Sequence, residues 1–140
     1  MSFYMTVNSD ANLDYFPDNK PYHFKTHLQT ALNLSGIWKV SLVDISMYDP
    51  SKHSSNLYIH SDICGESILD GEKENILRMI KAYRSGKWSQ ESINFHYISV
   101  NKSDIRDIEF SIKDKKGILA SFLQMPVTIT LHFRSYPFYQ

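Results

Sequence analysis

Cysteine is all but missing from this chain. Cys64 is the only one in 140 residues, so no intrachain disulfide can form. No secretory leader is visible over Met1–Asp10, and the two facts together point to a reducing compartment, without export by a signal peptide. No motif surrounds Cys64, which therefore reads as a small core filler rather than a nucleophile. Nor does any apolar run approach the roughly 18 residues of a membrane span. Charge of one sign is also lacking, because 15 Lys and Arg balance 15 Asp and Glu. A dedicated nucleic-acid binder carries a basic surplus, so the balance argues against that partner. Glycine totals five, and neither a Gly-rich phosphate loop nor a nucleophile elbow is present. No cofactor and no small-molecule substrate are expected, and the chain reads as non-enzymatic.

Aromatic residues are abundant, at 14% with nine Tyr and eight Phe, and they favour strands. The clearest pattern lies between Asp104 and Arg134. Ile108, Phe110 and Ile112 alternate with polar residues, and so do Val127, Ile129, Leu131 and Phe133. Period two marks half-buried strands, because successive side chains point to opposite faces. The polar turn Lys113-Asp114-Lys115-Lys116-Gly117, with Ile118–Pro126 as connection, suggests that the two runs form one long hairpin.

Similar alternation marks strands at Ser2–Asn8, Tyr22–Leu28 and Ile37–Tyr48. Phe16-Pro17-Asp18-Asn19 is a turn between the first two. Within Ile37–Tyr48 the pattern changes phase: Trp38, Val40 and Leu42 share one face, then Val43, Ile45 and Met47 carry the apolar positions. One extra residue, a β-bulge or bend, accounts for the slip. Asn56–Ile63 and a segment through Ile93, Phe95 and Tyr97 to Val100 are further strands. Asn75–Tyr83 has helical spacing but sits in a β context, and a strand is expected. Glu66–Glu74 reads as an acidic loop and Arg84–Glu91 as another loop. Residues 1–140 thus form one all-β domain, an eight-stranded antiparallel β-sandwich of jelly-roll type.

Six histidines raise the question of a metal. His23 and His27 share a strand face but lie roughly 13 Å apart at ~3.3 Å per residue, too far to share one ion. His53, His60, His96 and His132 are isolated. Asp107 and Glu109 share the face opposite Ile108 and Phe110, which is the solvated one. Arg78, Lys81, Arg84 and Lys87 form the one basic cluster, interleaved with Tyr83 and Trp88. It could be a phosphate or nucleic-acid groove, but the neighbouring acidic Asp70–Glu74 segment makes a solvated strand end the better reading. Aromatic groups at Tyr15, Phe16 and Trp88, and in the tail at Tyr136, Phe138 and Tyr139, are the candidates for an interface.

Three stretches carry a family resemblance. One runs from Phe3-Tyr4-Met5-Thr6-Val7 through Tyr15-Phe16-Pro17-Asp18-Asn19 and Phe24-Lys25-Thr26 to Leu34-Ser35-Gly36-Ile37-Trp38. Another is Ser61-Asp62-Ile63 with Asn75-Ile76-Leu77-Arg78-Met79-Ile80. The last joins Ile105-Arg106-Asp107-Ile108-Glu109-Phe110 to Leu131-His132-Phe133-Arg134. Together they resemble proteins of Polinton/Maverick elements and adinto-like viruses. The resemblance implies a single jelly-roll minor capsid protein of the penton type, self-assembling and meeting other capsid proteins. It also implies a location in the virion after synthesis in the host cytoplasm or nucleus. The alternative is a β-sandwich recognition module for a host glycan or protein.

Overall fold

The structure, a computed structural model, describes residues 1–48, 56–65, 67–69, 71–80, 87–91 and 96–136, with the backbone alone at 67, 68, 72 and 87–91. Among the described residues every regular element is a strand. They are β1 (Ser2–Asn8), β2 (His23–Asn33), β3 (Ile37–Tyr48), β4 (Leu57–Ser61), β5 (Ser67–Leu69), β6 (Glu72–Glu74), β7 (Ile76–Ile80), β8 (Lys87–Glu91), β9 (Ile98–Ser99), β10 (Asp104–Lys113) and β11 (Thr128–Tyr136).

The connectivity is that of one long hairpin rolled up. β1 pairs β11, β2 pairs β10, β3 pairs β8 and β9, and β4 pairs β7, all antiparallel. Rolling then brings β11 beside β3 and β10 beside β4. The result is two sheets, β1-β11-β3-β8 with β9 also on β3, and β2-β10-β4-β7. β8 and β9 sit at opposite ends of β3, on Asp44–Tyr48 and Lys39–Val40, and make one interrupted edge. Counted that way, with the β5–β6 hairpin as an insertion between β4 and β7, the sandwich has eight strands in jelly-roll order.

The inward faces are the apolar sets read from the alternation. Ile108, Phe110 and Ile112 from one sheet and Val127, Ile129, Leu131 and Phe133 from the other are all fully buried. Phe24 and Phe110, paired across β2 and β10, stack with ring centroids 5.3 Å apart. Phe3 stacks on Phe133 at 4.9 Å. Burial of each such side chain stabilises by about 1.5–3 kcal/mol.

The expected C-terminal hairpin is not there. β10 and β11 lie in opposite sheets and face each other across the core. The turn itself forms: Asp114 Oδ1 accepts from the amides of Lys116 and Ile118, and Gly117 takes a positive φ of 84°. The chain then runs back only along the end of β10, where Lys113 bridges Leu119, before crossing to the other sheet. Two expected loops are also corrected. The Glu66–Glu74 stretch contains the β5–β6 hairpin, and Arg84–Glu91 contains β8. Backbone pairing decides both, and neither segment has the alternation that would have announced it. Asn75–Tyr83 contains a strand, β7, while 81–86 and 92–95 lie outside the described residues.

The phase slip in β3 is a bulge. Thr130 pairs Asp44 and Leu131 pairs Leu42, leaving Val43 as the extra residue. The turn into β3 is equally local: Gly36 has φ 86°, and the Trp38 indole donates to the Ser35 carbonyl at 3.0 Å. Phe110→Ala is expected to cost about 3–5 kcal/mol, because its ring is fully buried and stacked on Phe24. Urea denaturation of the purified variant checks this; a loss below 1 kcal/mol (about a fivefold change in the folding equilibrium) would contradict the packing described.

Candidate functional site

The loop from Ser9 to Tyr22 covers the edge of β2. Asn19 forms both bonds of an amide pair with Lys25: its side-chain nitrogen donates to the Lys25 carbonyl and its oxygen accepts from the Lys25 amide, each at 2.9 Å. Asn12 accepts from the His27 amide at 3.1 Å. Asn19 sits in the turn opened by Phe16, where the Asn19 amide donates to the Phe16 carbonyl. Tyr15 stacks on His27 at 3.9 Å and leans on Phe16 at 5.3 Å. Tyr15 is nevertheless 60% exposed. Phe16, Asn19, Lys25 and Glu109 border a shallow cavity of about 340 Å³ beside it.

The outer face of the second sheet carries a larger polar cavity of about 500 Å³, with His23, His60, Glu74, Glu109, Ser111 and Lys113 among its walls. His23 pairs with Glu109, His27 with Asp107, and His60 faces Glu74 at 3.8 Å. The His23–Glu109 pair is open to solvent and contributes at most about 1 kcal/mol, whereas His27 is mostly covered, under the Tyr15 ring, with Asp107 on its exposed side. His60 is buried by its surroundings. Desolvation, and then the Lys113 ammonium, hold its pKa below the usual histidine value, against an opposing pull from Glu74. Among the described residues no three His, Cys, Asp or Glu side chains converge closely enough to hold a metal ion. Burial pushes the Cys64 thiol up to about 11, so it is protonated at neutral pH and a poor nucleophile.

The outer face of the first sheet carries aromatic rings interleaved with cations. Lys39 lies 4.9 Å from the centre of the Tyr136 ring, and Arg134 lies against both Tyr136 and Tyr97. Tyr97 shares a 2.6 Å hydrogen bond with His132, and Tyr4 packs on the His132 ring at 4.4 Å. Burial and Arg134 lower the His132 pKa.

The candidate interface residues are therefore spread out. Tyr15 and Phe16 lie against β2 in one sheet, and Tyr136 ends β11 in the other. Trp88 lies on β8, opposite Met47, with its backbone alone described. Phe138 and Tyr139 fall outside the described residues. Of the basic cluster, Arg78 is on β7 and donates to the Leu42 carbonyl at 3.3 Å, beside the Val43 bulge. That contact half-buries its guanidinium and ties the two sheets together. Lys87 is on β8, and Lys81 and Arg84 lie outside the described residues. The Tyr97–Arg134–Tyr136 face had a partial signal in the sequence, since His132 falls opposite the apolar set of β11. The His60 cavity had none, because β2, β4, β6 and β10 supply its walls.

No protein-family model matches the sequence, and no curated protein matches it. Among solved structures there is a match over the whole fold. The chain is similar to the mavirus penton protein. The likeness to that crystal structure, of selenomethionine-labelled protein, has a TM-score of 0.65 and covers 97% of this chain and 100% of the other, at 8% sequence identity. At that identity the likeness to the mavirus penton protein shows a shared jelly-roll fold.

His60 and His132 set a pH dependence. Each has a folded pKa below its unfolded value of about 6.5, so between the two values the unfolded chain binds more protons. Stability is full above about pH 6.5 and is lost as pH falls towards the folded values. Thermal melts from pH 7.5 to 5.5 are expected to show a falling midpoint, with a shallower fall for His60→Gln. An equal slope for both proteins would remove His60 from the account.

Proposed function

We propose that this chain is a structural protein of a virion, of penton or minor-capsid type, which assembles with copies of itself and with other capsid proteins and performs no catalysis. The observation that supports this reading is the match in fold between this jelly roll and a penton protein, over 97% of this chain and 100% of the solved one. The family resemblance in the Phe-Pro-Asp-Asn turn and the Leu-Ser-Gly-x-Trp approach points the same way. The chemistry required is burial and strand pairing. A stable contact between subunits needs about 1,000 Å² or more of buried surface. Tyr15 and Phe16 contribute to it from the loop over β2, and Tyr136 from the end of β11. Trp88, Phe138 and Tyr139 are further candidates.

Light scattering on the purified protein at tens of micromolar tests the reading. A mass that is a multiple of the chain mass is expected, and replacing Tyr15 and Phe16 by Ser should weaken the association about tenfold or more, as removal of aromatic anchors does. A strict monomer, alone and mixed with its virion partners, would sink the proposal.

A further inference from the structure

The two outermost long strands of the sandwich are treated differently. β2 closes its edge with the side chains of Asn12 and Asn19. β1 ends its sheet, and among the described residues only its last outward carbonyl is closed in this way, where the Ala11 amide donates to Asn8 at 3.1 Å. The amide of Ser9 donates to Val127 and that of Ser135 to Met1, in register with the Phe3–Phe133, Met5–Leu131 and Val7–Ile129 pairs. The odd-numbered residues of β1 thus spend their backbone groups on β11. Ser2, Tyr4, Thr6 and Asn8 point theirs outward, because bonding direction alternates along an antiparallel strand. The stretch Ser2–Asn8 has no Pro and no charged residue, and its register with β11 is unbroken. Proline, charge and a bulge are among the devices that keep an edge from pairing, and this stretch has none of the three.

We infer that the occupant of this edge is β1 of a second copy, paired antiparallel about a twofold axis at Met5. The sequence of the strand is complementary to itself in that register. Tyr4 meets Thr6 and Ser2 meets Asn8 as hydrogen-bonded pairs, so the outward groups of Tyr4 and Thr6, the Ser2 carbonyl and the Asn8 amide all find partners. On the inner face Phe3 meets Val7 and Met5 meets Met5. Phe3 and Met5 are only half-buried in one copy, and the neighbouring strand would complete their cover. On the outer face Tyr4 is 63% exposed and stands opposite a β-branched residue, a favourable cross-strand pair. The strand carries no charge and the chain has zero net charge, which adds no repulsion. This contact rests on the assembly reading and adds to it a strand-to-strand partner, joining the first sheets of two copies into one.

Two variants test the contact. In Met5→Cys the two thiols would face each other across a non-hydrogen-bonded pair with Cα atoms about 4.5 Å apart, within the range a disulfide spans. Mild oxidation should give a covalent dimer from Met5→Cys and none from Met125→Cys, an exposed site elsewhere. Cys64 is buried and does not interfere. Thr6→Pro removes an outward amide and leaves the β11 ladder whole. It should raise the dimer dissociation constant at least tenfold by analytical ultracentrifugation, with a melting profile showing the fold intact. Association that persists with no cross-link at Met5→Cys overturns the strand pairing and leaves the assembly reading standing. A monomer at hundreds of micromolar with no cross-link overturns the strand pairing, and one that stays monomeric when mixed with its virion partners overturns both.

Discussion

Closure of two apolar sheet faces on one another is the constraint from which the rest of this molecule follows. Phe110 and Ile112 from β10 meet Leu131 and Phe133 from β11 across an interior about 10 Å thick, and all four are sealed from water. A single sheet could not hide these faces. The chain must therefore cross from one sheet to the other at nearly every connection, and β4 to β7 is the exception. Loops at the ends of the sandwich and polar residues on its outer faces are what remain for recognition.

The inner faces were legible in the sequence because alternation reports a side chain's facing one residue at a time. Alternation says nothing about partners. β10 and β11 were read as a hairpin because both alternate and a good turn follows β10, and that turn exists. It serves a return of only a few residues, at Lys113 and Leu119, before the crossover. The bulge at Val43 was legible for the opposite reason: a period of two cannot change phase without an extra residue, so the slip from Leu42 to Ile45 fixes its place. β8 and the β5–β6 hairpin were not legible. Their short segments carry no alternation and are strands because β3 and each other's backbones offer pairing.

The polar sites follow the same division. Asp107 and Glu109 could be placed on the wet face from the sequence, since Ile108 and Phe110 fix the dry one. That they would meet His27 and His23 depends on the β2–β10 register, which no local pattern encodes. His60 is the extreme case. Isolated in sequence, it becomes buried because β10 passes on one side and Glu74 stands on the other. Arg78 likewise reads as one member of a basic surface run. Its guanidinium reaches the Leu42 carbonyl, beside the stretch of β3 that lies between the β8 and β9 pairings.

The contrast between β2 and β1 shows how a sandwich chooses which edge to present. An open edge is a hazard to any β protein, because its unpaired amides and carbonyls will accept whatever strand arrives. Here one edge is closed with side-chain amides that imitate a neighbouring backbone, at Asn12 and Asn19. The device is therefore available to this fold, with turn residues positioned to use it. Among the described residues no side-chain amide does the same at β1, where only the Asn8 carbonyl is taken, by the Ala11 amide, and a stretch without charge or proline is left that matches itself in antiparallel register. A strand that carries no repelling charge, and whose inner Phe3 and Met5 are only half covered, is better accounted for as a surface kept for a partner than as one left to water.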